Sequence, residues 1–206
     1  MEPFTVLTAI AMPLLRDNID TDIIIPSREM RSVSKKGLAD GLFAGWRYRA
    51  IGGREPDPDF VLNDPAYAQA RILLTGANFG CGSSREHAAW ALGEYGFRAI
   101  VAPSFNPIFR ANCVANGIVP VVLAADVVSA IAQSILPRPA AAPVTVDLVQ
   151  QLVRTAQGAL YSFQIDAEAR QMLLEGLDAV ELTLKQEDRI AAARKADAEV
   201  RPWVYL

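Results

Sequence analysis

The sequence predicts an α/β fold with a parallel β-α-β-α-β unit and an additional β-hairpin layer. Three observations carry that prediction. Short apolar runs alternate with segments of helical spacing between residues 71 and 135. Glycine turns and capping residues separate these runs at intervals that suit crossover connections rather than tight hairpins. After the Pro/Ala-rich break "PRPAAAP" at 137–143, the pattern changes to partial apolar/polar alternation across a turn near Gly158.

In chain order, "VLTAIAMPLL" (6–15) reads as a strand and "DNIDTD" (17–22) as a polar turn. "IIIP" (23–26) reads as a short buried strand stopped by Pro26. Residues 27–60 are rich in Gly, Arg and Lys and contain "GLFAGWRY", which predicts a long, partly ordered surface excursion of the kind that carries function. "RILLTGANF" (71–79) is a buried strand, followed by a glycine-bearing turn and a helix over about 84–95, with Gly96 as its C′ residue. "RAIVAP" (98–103) is the second strand of the unit. Asn106 then caps a helix with Pro107 at its first position, and Gly117 follows its end. "IVPVVL" (118–123) is the third strand, and Asp126 caps a helix through about Ile135. Beyond the linker at 137–143, "VTVDLVQQLV" and "ALYSFQI" form the hairpin, Asp166 caps a helix ending at Gly176, and a polar helix covers about 186–197. We assign all of residues 1–206 to one domain, with 27–60 as a surface and substrate loop region.

Composition narrows the function. Of 206 residues, 51% are hydrophobic and 21% charged, enough to bury a core. A net charge of −3 argues against a nucleic-acid surface, which needs a basic excess. No apolar run approaches the roughly 18–20 residues of a membrane span, and the N-terminus lacks a basic n-region and a small-residue cleavage site. A soluble cytoplasmic chain is expected. Cys81, Cys113 and the sole histidine, His87, cannot furnish four zinc ligands or the four cysteines of an iron–sulfur cluster. Metal chemistry of that kind would need a second chain to supply most of the ligands.

The stretch "NFGCGSSREHAAWAL" (78–92) has two readings. As structure, Ser83-x-x-Glu86 is a capping box, and Gly80 and Gly82 permit the turn from strand to helix. As chemistry, Ser83, Ser84 and Arg85 fall at the carboxyl end of a parallel strand and at a helix N-terminus, where open α/β sheets bind anions. Arg85 adds a planar fork that suits a carboxylate. The G-x-x-x-x-G-K-[ST] pattern of a phosphate loop is not found here.

Together, "NFGCGSSREHAAWAL", "NIDTDIIIP", "GLFAGWRY", "YGFRAIVAPSFNPIF" and "NGIVPVVL" resemble, in order, the small subunits of 3-isopropylmalate dehydratases. The likeness runs from about residue 6 to 195, and those subunits are similar to the mobile swivel domain of aconitase. The resemblance implies a swivel-domain-like β/β/α layered fold and a hydro-lyase of leucine biosynthesis, active only with a large subunit carrying a 4Fe–4S cluster. It implies that Ser83 is the general base and that Ser84 and Arg85 hold substrate carboxylates. It also implies that the loop "SREMRSVSKKGLADG" faces the substrate's variable group and adds a cationic contact. Many members have Thr-Arg-Thr-Gly where this chain has Ser34-Lys35-Lys36-Gly37, so Lys35 stands where an arginine is common, with Arg28 or Arg31 as substitutes. The structural alternative is that these are solvated loop charges.

Other candidates also have two readings. Asp20-Thr21-Asp22 is a D-x-D metal pattern or a turn-capping or interface element. His87 is a base four residues after Ser83, or a hydrogen-bonded structural or interface residue. Cys81 is a reactive thiol or a small residue in a tight turn. Phe43, Trp46 and Tyr48 belong to a contact with the large subunit or pack over the core. Rivals remain to isomerisation of 2-isopropylmalate into 3-isopropylmalate through isopropylmaleate. Three share its chemistry, on homoaconitate, on citraconate/methylmalate or on dimethylmalate. The fourth is a non-catalytic anion-binding regulatory module.

Overall fold

The computed structural model describes residues 1–30, 34–136 and 138–205. Its frame is a seven-stranded sheet in the order β4 (Val119–Val122), β3 (Ala99–Ala102), β2 (Ala70–Thr75), β1 (Val6–Leu14), β5 (Val144–Asp147), β6 (Leu152–Arg154), β7 (Leu160–Ser162), with β1 central. The residues of β1 serve two halves. Val6–Ala9 pair antiparallel with β5, and Ile10–Leu14 pair parallel with β2, with a register irregularity between Ile10 and Ala11. One strand thus joins a parallel half to an antiparallel half.

Next come α1 (Thr21–Ile24) and α2 (Ala44–Arg47), then the crossover unit: β2 (Ala70–Thr75), α3 (Glu86–Tyr95), β3 (Ala99–Ala102), α4 (Pro107–Ala115), β4 (Val119–Val122) and α5 (Ala125–Ile135). β1, β2, β3 and β4 are parallel neighbours. The alternation of side chains along each strand feeds two cores. Met12, Leu73 and Ile100 pack on one face under Ala88 and Leu92 of α3 and Phe109 and Cys113 of α4. Ala11, Ile72, Leu74 and Val101 pack on the other under Val128, Ile131 and Ile135 of α5. Both faces are covered, so the parallel strands read as nearly continuous apolar runs.

The antiparallel half is β5 (Val144–Asp147), β6 (Leu152–Arg154) and β7 (Leu160–Ser162), a three-stranded meander in which β6 and β7 form the hairpin expected at Gly158. Helix α6 (Ala167–Glu175) is capped by Asp166 and closed by Gly176, as its sequence predicts. α7 (Ala179–Leu184) and α8 (Glu187–Val200) follow, and α8 runs three residues past the expected end of the polar helix.

Three expectations are corrected. The strand expected at 23–26 is the end of a helical turn instead. The Asp20 carboxylate accepts the Ile23 amide at 2.7 Å and caps α1, so Ile24 and Ile25 reach the core from a helix rather than from a strand. Helix α5 begins after Ala124, and Asp126 lies in its first turn, where its charge suits the helix dipole without capping it. The described part of 27–60 is only partly a surface excursion: Leu38, Leu42, Phe43 and Phe60 are buried in the first core, while residues 34–37, 49–52 and 54–56 are exposed. Its apolar residues are spaced irregularly over short turns, so neither helical nor strand periodicity reveals them.

Candidate active site

The segment between β2 and α3 is held on both sides at the carboxyl ends of the parallel strands. Towards β1 and α1, the Gly80 amide donates to the Ile19 carbonyl at 2.8 Å, and the Thr21 amide donates to the Cys81 carbonyl at 2.9 Å. Towards β3 and α4, the Phe79 amide donates to Ser104 at 3.1 Å, and the Asn106 amide donates back to Phe79 at 3.0 Å. The ring of Phe79 is fully buried, edge-on to Phe105 and Phe109. Gly80, at φ +76°, lies directly against Phe109, where a Cβ would sit 2.1 Å from the ring. The turn is therefore tight because the loop packs onto α4.

Beyond Gly82 the geometry differs from a capping box. Helix α3 starts at Glu86, its N-cap is Arg85, and no side chain caps it. What is fixed at Ser83 is its carbonyl, which accepts from the Thr21 hydroxyl at 2.9 Å and from the Arg85 amide at 2.8 Å. Ser83 and Ser84 are exposed, and the Arg85 guanidinium pairs with Asp22. The Glu86 carboxylate accepts instead from Asn116 Nδ2 and Trp90 Nε1, both at 3.1 Å. The Asn116 bond, then the Trp90 bond and the nearby Lys35 charge, outweigh burial and hold the Glu86 carboxyl below its ordinary pKa. The expected box fails because Glu86 is drawn to Asn116. The first-turn amides thus have no side-chain acceptor, and the Ser83 hydroxyl is not used for capping. A helix N-terminus with open amides, two exposed hydroxyls and a guanidinium is an arrangement that receives a carboxylate.

Lys35 is brought to the same helix. Its Nζ donates to Asn116 Oδ1 at 3.0 Å and lies 5.1 Å from the centre of the Trp90 ring. Arg28, half-buried on a 3₁₀ turn over Ser27–Glu29, lies 3.5 Å from the Glu29 carboxylate, which also accepts from Arg54 at 2.6 Å. Arg31 lies outside the described residues.

The other candidates take structural places. Ser83 precedes α3, so the four-residue spacing to His87 does not put both on one helical face, and the His87 ring lies 4.6 Å from that of Trp90. Burial, followed by the Asp20 charge, pushes the Cys81 thiol up, which disfavours a reactive thiolate. Cys113 is wholly buried on α4, and burial raises its thiol further. In Asp20-Thr21-Asp22, the first residue caps α1, the second holds Ser83 and the third pairs with Arg85. Among the described residues, no group of three or more His, Cys, Asp or Glu side chains is placed to hold a metal ion. Phe43 is core, stacked at 6.3 Å on a half-buried Trp46 over which Arg16 lies at 4.6 Å. Sequence reasoning missed Asn116, which looked only like the end of a helix before Gly117, and the pairing of Asp22 with Arg85, for which the D-x-D pattern was the one signal.

Comparisons with known proteins show what this chain is similar to. The family described as "Aconitase C-terminal domain" matches residues 1–126. A 3-isopropylmalate dehydratase small subunit from Cupriavidus necator is 60% identical over 206 residues, covering 100% of this chain and 99% of its own length. One from Leptospira interrogans is 46% identical over 205 residues, with the same coverage. In three dimensions, the crystal structure of a 3-isopropylmalate dehydratase protein from Methanocaldococcus jannaschii superposes with a TM-score of 0.64 at 24% identity, covering 92% of this chain and 99% of that one.

Proposed function

The chain belongs to the aconitase C-terminal domain family and, within it, to the small subunits of 3-isopropylmalate dehydratase; from that premise we propose how its Ser83–Arg85 turn works. The chain is one component of a hydro-lyase that converts 2-isopropylmalate into 3-isopropylmalate, a step of leucine biosynthesis. In the forward direction, the hydroxyl leaves one carbon and a proton leaves its neighbour, giving isopropylmaleate. Water then returns with the two positions exchanged.

Ser83 is the general base. Its oxygen takes the proton from the carbon beside the one that bears the hydroxyl and delivers it back during hydration. A serine hydroxyl is a very weak acid, so this role needs positive potential at its oxygen. The open amides at the start of α3 and the Arg85 guanidinium supply that potential, strengthened when water is excluded. Ser84 and Arg85 bind one substrate carboxylate, and Lys35 and Arg28 bind on the side of the variable group. The observation that carries this reading is the Ser83 backbone, which is locked through its carbonyl while the residue itself stays exposed.

The donors of this chain do not fit an iron–sulfur cluster, since Cys113 is sealed in the core and Cys81 lies alone on the site loop. The resemblance to the family implies a 4Fe–4S cluster on the large subunit, where it would supply Lewis acidity toward the substrate hydroxyl. The assembled enzyme is cytoplasmic, with a small dicarboxylate as substrate and neither nucleic acid nor membrane as partner. Lys35 favours one second reading: lacking the bidentate fork of arginine, it fits the same chemistry on homoaconitate, citraconate/methylmalate or dimethylmalate. The test is to combine the chain with its large subunit under anaerobic cluster assembly and to assay this substrate panel. Turnover of 2-isopropylmalate by the pair, and by neither subunit alone, is the expected result. Dicarboxylate binding by the chain alone with no turnover on adding the partner would establish the regulatory-module reading instead.

A further inference from the structure

The segment bearing Lys35 is tied to α3 at a second point, to which the reaction above gives no role. Glu94, in the last turn of α3, turns its carboxylate onto three successive backbone amides: Gly37 at 2.6 Å, Leu38 at 2.5 Å and Ala39 at 2.9 Å. Gly37, at φ +84°, supplies the left-handed step that lets consecutive N–H groups converge on one anion. Burial opposes the charge on Glu94, but the three amides and the neighbouring Lys36 outweigh it and keep the carboxyl below its ordinary pKa. The Leu38 side chain is buried in the core beside this clamp.

At the other end of the helix, the Lys35 ammonium meets Asn116, which is bonded to Glu86. Glu86 and Glu94 are separated by eight residues, about 12 Å along the helix axis. The short segment 35–39 therefore lies along α3 between two fixed points, its backbone held by Glu94 and its ammonium by Asn116. Without the backbone anchor, a flexible four-carbon stem on an exposed loop has no defined origin.

We propose that Glu94 is a positioning residue: its grip on the amides of 37–39 sets where Lys35 meets the substrate carboxylate. The inference rests on the reading that Lys35 contacts substrate, and the test separates the two. In the assembled two-subunit enzyme, Glu94→Gln is nearly isosteric but presents an NH₂ to a set of donors and so cannot satisfy all three amides. We expect amide exchange at 37–39 to accelerate at least about 10-fold. KM for 2-isopropylmalate rises about 10-fold, the loss of one charge-assisted contact, and kcat stays within about 2-fold. Lys35→Met raises KM similarly, and the double variant is no worse than either single one. Glu94→Asp, which keeps the charge, recovers part of the KM. An unchanged KM in Glu94→Gln, with Lys35→Met impaired, would overturn the positioning role and leave the Lys35 reading intact. An unchanged KM in Lys35→Met would overturn both. Additive effects in the double variant, unaltered amide exchange, or Glu94→Asp no better than Glu94→Gln would also overturn the positioning role.

Discussion

Arg85 shows how little the stability of a contact says about its use. Its ion pair with Asp22 is partly solvent-exposed, with side-chain exposures of 25% and 57%, and pairs of that kind contribute at most about 1 kcal/mol. Asp22→Asn is therefore expected to leave the unfolding free energy within about 1 kcal/mol of wild type. The same change releases the guanidinium from its aim at the start of α3, so KM should rise several-fold while kcat changes little. A denaturation midpoint and a Michaelis curve on the assembled enzyme test both halves. A fall in stability with KM intact would make Asp22 a structural residue. Ser83, Ser84 and Arg85 stand out in the sequence as candidates for the proposed site because their residue types suit anion chemistry. Their mutual arrangement was not legible, because Ser83-x-x-Glu86 fits a capping box and only the distant Asn116 draws Glu86 away from it.

At the level of elements, the site depends on the loop between β2 and α3 lying flat on α4. Gly80→Ala places a methyl group inside the Phe109 ring volume at a left-handed φ, which combines overpacking of about 1–3 kcal/mol with backbone strain of about 1–2 kcal/mol. A loss of roughly 2–5 kcal/mol in chemical denaturation is expected. Both carboxylates that brace α3 against its neighbours, Glu86 and Glu94, have pKa values lowered by folding. Their contribution is fully present above the ordinary carboxyl value of 4.5 and is lost as pH falls through their lower folded values. Amide exchange at 37–39 should accordingly be insensitive to pH between 6 and 8, after correction for intrinsic rates, and lose protection on acidification below about 4.5. Protection that is already lost near neutrality would contradict this assignment. The crossover helices were readable from period and caps, with Asn106-Pro107 and Asp166 placed correctly. α1 was not, since a run of isoleucines after a polar turn fits a buried strand equally well until the Asp20 cap is seen.

Across the whole molecule, β1 joins the parallel half, which carries the site, to the antiparallel meander. The parallel unit was legible because each element repeats a strong local signal. The sharing of one strand between two pairing modes was not, since strand pairing is a long-range choice absent from local periodicity. The packing of 27–60 escaped for a similar reason: Phe43 and Phe60 meet each other and the core across long sequence separations. On the proposed reading, the two exposed serines and the unsuitable cysteine set give the chain a base and a carboxylate clamp that need a partner to complete them.

Ser83→Ala in the assembled enzyme tests most directly whether Ser83 moves the proton. The hydroxyl does not cap α3, so the variant should assemble with the large subunit and melt like wild type, while kcat falls at least about 100-fold. A kcat near wild type would remove Ser83 from the chemistry.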